Sequence, residues 1–263
     1  SMGSCGTNTA ALAFGGGLNG PKADVTETWN GTNWTEVNDL NTARNILAGS
    51  GTNTAALAFG GSNASNDNQA ITELWNGTNW TEVNDLNTAR RGIAGDGTST
   101  ASLGFGGYAP SPETITGKTE SWNGTNWTET ADLNTARWQL SGAGTNTAAL
   151  AFGGRTPPST TMAATEEFNT GVVGGSWATV NSMNTARKAL GSAGTQTAAL
   201  AFGGAAPADS VLTESYNGTN WTEVNDLNTA QGERTGVGAT NTAALAFAGN
   251  SALTETWNGT NWT

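Results

Sequence analysis

Six glutamates recur in the pattern Thr-Glu-x-aromatic, at Glu27, Glu73, Glu120, Glu166, Glu214 and Glu255. Four arginines recur at the end of Leu/Met-Asn-Thr-Ala-Arg, at Arg44, Arg90, Arg137 and Arg187, with Gln231 in the fifth such place. Repeated acids invite a hydrolytic reading, but glycoside hydrolysis needs two carboxyls held in unlike environments. Six equivalent glutamates do not meet that need. Fixed spacing suits ion pairs that tie a strand to a connecting loop, and that is the expectation for these residues. The Asn38-Asp39-Leu40-Asn41 run and its copies could offer oxygens to Ca²⁺. Capping of the turn by these side chains, through nearby backbone N–H groups, is the expected role. Two aromatics break the recurrence. Trp138 is the one Trp of eleven outside a repeated slot, and Tyr108 stands alone among the Tyr and Phe. With Arg91, Lys188 and Arg155 they form the candidate ligand-binding set, able to receive a sugar or an acidic group.

Composition removes several chemistries. The chain has no His, which excludes His-based triads and the commonest transition-metal ligand. Its one Cys gives neither a disulfide within the chain nor a Cys-rich zinc site. No cofactor or metal is expected. Net charge is −11 with ten Lys and Arg, so neither a nucleic acid nor an anionic membrane is an expected partner. No apolar run reaches membrane-spanning length. No secretory signal opens the chain, although Ser1-Met2-Gly3-Ser4 could include a cloning remnant.

The elements that must position these residues follow from a repeat. GTNTAALAFGG begins at Gly6, Gly51 and Gly144, and variants begin at Gly97, Gly194 and Ala239, the six copies standing at offsets of 45, 46, 47, 50 and 45 residues. Such a period marks an array of one supersecondary unit. In the second copy, residues 46–51 read as strand a, 54–59 as strand b, 71–75 as strand c and 78–83 as strand d. Asn76-Gly77 between strands c and d signals a type I′ hairpin, with positive φ at both central residues. Four short antiparallel strands per unit, with no helical periodicity, predict an all-β fold: a six-bladed β-propeller. Alanines in strand b let neighbouring sheets approach, and Trp and Phe fill the wider gaps. Each buried Trp is worth roughly 4–6 kcal/mol as an upper estimate, at about 25 cal/mol per Å².

A hydrophobic strand ending in Gly-Gly, an aromatic, a Trp and a tail ending in Arg resembles the Kelch repeat. In the second copy these are Phe59-Gly60-Gly61, Trp75, Trp80 and Arg90; in the first, Phe14-Gly15-Gly16, Trp29, Trp34 and Arg44. The third has Trp122, Trp127 and Arg137, the fourth Phe168, Trp177 and Arg187, the fifth Tyr216 and Trp221, and the sixth Ala248-Gly249, Trp257 and Trp262. The chain departs from the usual pattern in having Trp for the mid-repeat Tyr, five residues before the second Trp. The resemblance implies one propeller with blades near 1–40, 41–86, 87–133, 134–183, 184–227 and 228–263. It also raises a copper-oxidase branch, whose chemistry needs His and a specialised Tyr and Cys. This chain lacks that set.

Gln231 and an added residue before Ala239 predict a displaced or bulged strand a in the last blade. Ser1–Cys5 fills the first strand-a slot and Trp262-Thr263 begins the last strand d. Blades contiguous in sequence, closing without a borrowed strand, are expected; trimming of a longer chain at a repeat boundary would give the same ends.

The a–b and c–d connections share one face and repeat nearly verbatim. The b–c loops on the other face (17–25, 62–71, 108–118, 155–164, 205–212 and 250–253) all differ, and variable loops on a rigid scaffold are where ligands bind. The expected function is non-enzymatic: a monomeric protein-interaction or adhesin-type module of microbial or phage kind, working through the b–c/d–a face. A glycan lectin and an engineered or recently amplified scaffold without a ligand are the alternatives. Residues 30–44 and 76–90 are identical, which favours recent duplication or design. The Asn-Gly-Thr and Asn-Trp-Thr sequons recur as by-products of the hairpin.

Overall fold

A computed structural model describes residues 1–17, 21–110, 113–171, 174–233, 235–248 and 252–263. Loop positions 18–20, 111–112 and 250–251, and Gly249 of the sixth Phe-Ala-Gly, lie outside the described residues. The described residues contain no helix, and the chain forms six antiparallel blades around a common axis, a β-propeller. In the second blade the strands are Ala48–Thr52, Ala55–Phe59, Thr72–Trp75 and Trp80–Val83, paired in chain order. Blade one is likewise contiguous, from Gly3–Gly6 to Trp34–Val37. In blade six three strands are joined by a Trp257–Trp262 bridge at the place of strand d. Its strand a, Thr235–Thr240, shifts register between Val237 and Thr240, the irregularity expected from the added residue.

Strand b is buried on both faces because each blade is covered on both sides. Ala56, Leu57, Ala58 and Phe59 are all fully buried, and the small residues permit the close approach. From each Phe the core continues outward through Trp. The Phe ending strand b of one blade meets the strand-d Trp of the next with ring centroids 4.7–5.1 Å apart at all six junctions, including Phe247–Trp34. Each of these Trp donates its indole N–H to a Thr hydroxyl at the start of strand c in the preceding blade, at 3.0–3.2 Å. Trp34 on Thr254 completes the circle, and strand a of blade six packs against that of blade one, where Ser4 and Thr235 share a hydrogen bond of 2.9 Å and the Ser1 ammonium meets the Glu233 carboxylate at 2.9 Å.

The c–d connection differs from the expected two-residue turn. Trp29 pairs with Trp34, leaving a four-residue loop 30–33 in which only Gly31 has positive φ, 94°. The Asn30 carboxamide explains this, because its Oδ1 accepts the N–H groups of Thr32 and Asn33 at 2.9 Å. The side chain thus takes the place of a second left-handed residue.

The first strands enclose an axial channel of about 240 Å³. Asp96, in Ala94–Gly97, is buried there, with Oδ2 pressed toward Gly142 and without a hydrogen-bond partner. Burial pushes its carboxyl up to about 8. The unfolded chain releases this proton near pH 4. Between about pH 4 and 8 the native state therefore holds one more proton, and its stability falls as pH rises through that window. Replacement Asp96→Asn is expected to remove this slope, raising Tm at pH 8 by on the order of 5 °C while changing little at pH 4. Thermal unfolding at the two pH values checks it; an unchanged slope would show that Asp96 titrates normally.

Candidate functional site

The repeated acids and arginines form buried clasps. Arg44 reaches Glu73 at 2.8 Å, Arg90 reaches Glu120 at 2.8 Å, Arg137 reaches Glu166 at 3.1 Å and Arg187 reaches Glu214 at 2.8 Å. Each pair lies between the linker entering a blade and strand c of that blade. Arg90 also donates through Nη1 to the carbonyls of Gly106 and Lys118, so strands b and c are held together. Burial draws the guanidinium groups of Arg44, Arg90 and Arg187 below their ordinary value, and that of Arg137 to about 10, against the pull of the facing glutamates. Glu255 faces the linker that carries Gln231. Glu27 pairs with no cation among the described residues.

The Asn-Asp-Leu-Asn run acts across the structure, where local capping of its own turn was expected. Asp39 accepts the N–H of Thr26, and Asn38 donates to the Thr78 carbonyl and Asn79 in the next blade. Asn41 donates its backbone and side-chain N–H groups to Glu73 at 2.8 Å, and its carboxamide also reaches the Trp80 carbonyl. Leu40 is buried in the same junction. These partners lie 13 to 41 residues away, so no local pattern announces them.

On the b–c face, the residue just before strand a bridges the residue after Gly-Gly of its own blade: Arg91 with Tyr108 and Trp138 with Arg155. Blades three and four carry small hairpins beginning at these positions, Tyr108–Pro110 with Glu113–Ile115 and Arg155–Thr156 with Thr160–Thr161. The result is one stacked ladder. The Arg91 guanidinium lies 4.9 Å from the Tyr108 ring, Tyr108 lies 5.6 Å from Trp138, and the Arg155 guanidinium lies 4.1 Å over Trp138. All four side chains are half-buried. Gly92 makes room for the Trp138 ring, since a Cβ there would stand 2.8 Å from its Cε3. Arg91 is steadied by the Asn66 carbonyl, and Asn68 donates to the Tyr108 carbonyl. Arg155 has a buried Nε without a hydrogen-bond partner, and partial burial lowers its affinity for its proton.

Lys188 does not join the ladder. Its bridge partner is Ala205, which offers no ring, and it lines a separate cavity of about 260 Å³ with Gln139, Asp209 and Glu233. A feature without sequence signal runs beside it. Ile46, Gly92, Gln139, Ala189 and Glu233, each two residues before strand a of its blade, have φ of 51–61°. Their peptides form a belt around the channel mouth: Ile46 N–H to Ser1, Gly92 to Ile46, Gln139 to Gly92 and Ala189 to Gln139, at 2.8–3.0 Å. Left-handed backbone is unfavourable for Ile, Gln, Ala and Glu; blade-to-blade main-chain bonds hold it at Ile46, Gln139 and Ala189, and at Glu233 the side chain is held by the Ser1 ammonium at 2.9 Å.

No protein-family model matches the chain, and no curated protein shows significant similarity to it. The class established by the structure is therefore the six-bladed β-propeller with a variable, cation-bearing loop face.

Proposed function

We propose that this chain is a Kelch-type, non-enzymatic binding propeller, adhesin-like and of microbial or phage kind, which engages an acidic patch of a protein partner through its b–c/d–a face. The observation that carries the reading is the Arg91–Tyr108–Trp138–Arg155 ladder. A guanidinium held over an aromatic ring keeps its edge donors available and pre-aimed, which suits bidentate capture of a carboxylate. Charge placement supports it. Outside the buried clasps, the cations Lys22, Arg91, Lys118, Arg155, Lys188 and Arg234 all fall in b–c or d–a segments of the sequence, while the a–b and c–d turns carry no charged residue in any copy. Asp209 and Glu233 beside Lys188 make the face mixed in sign, which fits a protein surface better than a polyanion.

The test is a panel of Glu- and Asp-bearing peptides alongside a glycan array, probed with the wild type and with Trp138→Ala, Arg155→Ala and, on the opposite face, Thr52→Ala. Peptide binding that falls at least tenfold in the first two variants and stays unchanged in the third is expected. Retention of glycans in place of peptides would replace the reading with a lectin. Silence in both arms would leave a scaffold.

A further inference from the structure

Asp96 sets blade three apart inside the axial channel. It is the third residue of its strand a, a slot filled elsewhere by Cys5, Ser50, Ala143, Ala193 and Val237. In that slot Cys5 donates its Sγ–H to the Thr52 carbonyl and Ser50 its Oγ–H to the Thr98 carbonyl, both at 3.4 Å and both in the following blade. An ionised carboxylate has no proton to offer such a carbonyl and needs donors of its own. None reaches it. Asp96 is 8% exposed on the channel wall, and among the described residues no group donates to its carboxylate. The strands packed against it, Ala48–Thr52, Ser102–Phe105 and Ser141–Gly144, carry no titratable side chain. A second acceptor on the same wall is also unmatched. Gln139, two residues before strand a of blade four, has its Oε1 buried without a partner. The two converge on one blade junction: Asp96 Oδ2 lies against Gly142 of blade four, and the Gln139 side chain lies beside Gly92 of blade three. Hydroxyls on the wall are already engaged, Ser141 with Ser192 at 2.8 Å and Ser4 with Thr235 at 2.9 Å.

We propose that the axial channel binds a linear aliphatic diamine, with one ammonium on the Asp96 carboxylate and the other donating to the Gln139 side-chain carbonyl. A primary ammonium brings N–H donors and no acceptor, the complement of a wall whose unmatched groups are both acceptors. Gly142 follows Gln139 by three residues, roughly 10 Å at the rise of a strand, and a short diamine with a hydrogen bond at each end has that reach. A channel of about 240 Å³ accommodates the carbon chain between them. A metal ion fits less well, because the described residues bring no group of three or more His, Cys, Asp and Glu side chains together. The net charge of −11 draws a dication toward the protein. The site lies inside the channel and uses none of the side chains of the Arg91–Tyr108–Trp138–Arg155 ladder, so its failure leaves the proposed function standing.

The probe is putrescine, titrated by calorimetry at pH 8 into the wild type, Asp96→Asn and Gln139→Ala. The first replacement relieves a buried charge and the second copies Ala189, which holds the same backbone slot, so both variants are expected to fold. Saturable binding at a single site is expected for the wild type, weakened at least tenfold in Asp96→Asn. Gln139→Ala should weaken putrescine several-fold and leave n-butylamine, which has one ammonium, unchanged. Butanediol, of the same length and uncharged, should not bind. Because the ligand needs the ionised carboxylate, putrescine affinity should fall about tenfold for each pH unit below about 8. Equal affinity of the wild type and either variant, or an affinity independent of pH between 6 and 8, would overturn the inference, as would the lack of saturable binding at millimolar putrescine.

Discussion

Replacing Arg90 by Met is expected to lower the unfolding free energy by about 3–5 kcal/mol, because it leaves the Glu120 charge buried without its cation. Both side chains are fully buried and 2.8 Å apart. Glu120 would keep only the Asn87 donors, and the Gly106 and Lys118 carbonyls would lose the guanidinium as well. The double replacement Arg90→Met with Glu120→Gln should recover part of the loss, since the cost lies mainly in the isolated charge. The exposed Lys118–Glu129 pair, at 2.7 Å, provides the contrast. Lys118→Met should cost less than about 1 kcal/mol. Urea unfolding followed by Trp fluorescence measures all three; an Arg90→Met cost as small as that of Lys118→Met would remove the clasps from the account of stability.

The second large effect is at Trp127. This side chain is 5% exposed, stacks on Phe59 at 4.8 Å and Trp122 at 5.5 Å, and donates to Thr72. Its replacement by Ala is expected to cost about 3–5 kcal/mol, from lost burial and from the cavity between blades two and three. For a domain of this size that is a drop in Tm of roughly 10 °C. Trp34 has the same backbone slot and the same kind of partners, but solvent reaches it. Trp34→Ala should therefore cost distinctly less. Equal costs at the two positions would mean that cover by the linker Leu contributes nothing.

The period of the chain was enough to predict the propeller, its blade number and the placement of Trp29, Trp75 and Trp122 in strand c and Trp80 and Trp127 in strand d. Such positions are set by alternation and recurrence, which a sequence displays directly. Trp138, Tyr108, Arg91 and Arg155 were legible for the opposite reason, as residues that depart from the repeat. Lys188 was grouped with them on its slot alone; the structure separates it because cross-strand pairing within its own blade gives it Ala205. The Asn-Gly hairpin was read from a backbone rule, whereas a side-chain hydrogen bond decides its shape. The roles of Asn38 and Asn41 were hidden because their partners belong to the next blade. The positive φ of Ile46, Gln139, Ala189 and Glu233 was invisible, since those residue types ordinarily argue against it.

The belt around the channel mouth uses main-chain atoms from Ser1 through Ala189, and at Glu233 a side-chain carboxylate meets the Ser1 ammonium instead. Side-chain identity at Ile46, Gln139 and Ala189 consequently takes no part in the belt's bonds, whereas Gly92 leaves room for the Trp138 ring and Glu233 holds the N-terminus. A duplicated module can thus vary at those three rim positions one residue at a time while the main-chain bonds that join its neighbours are kept.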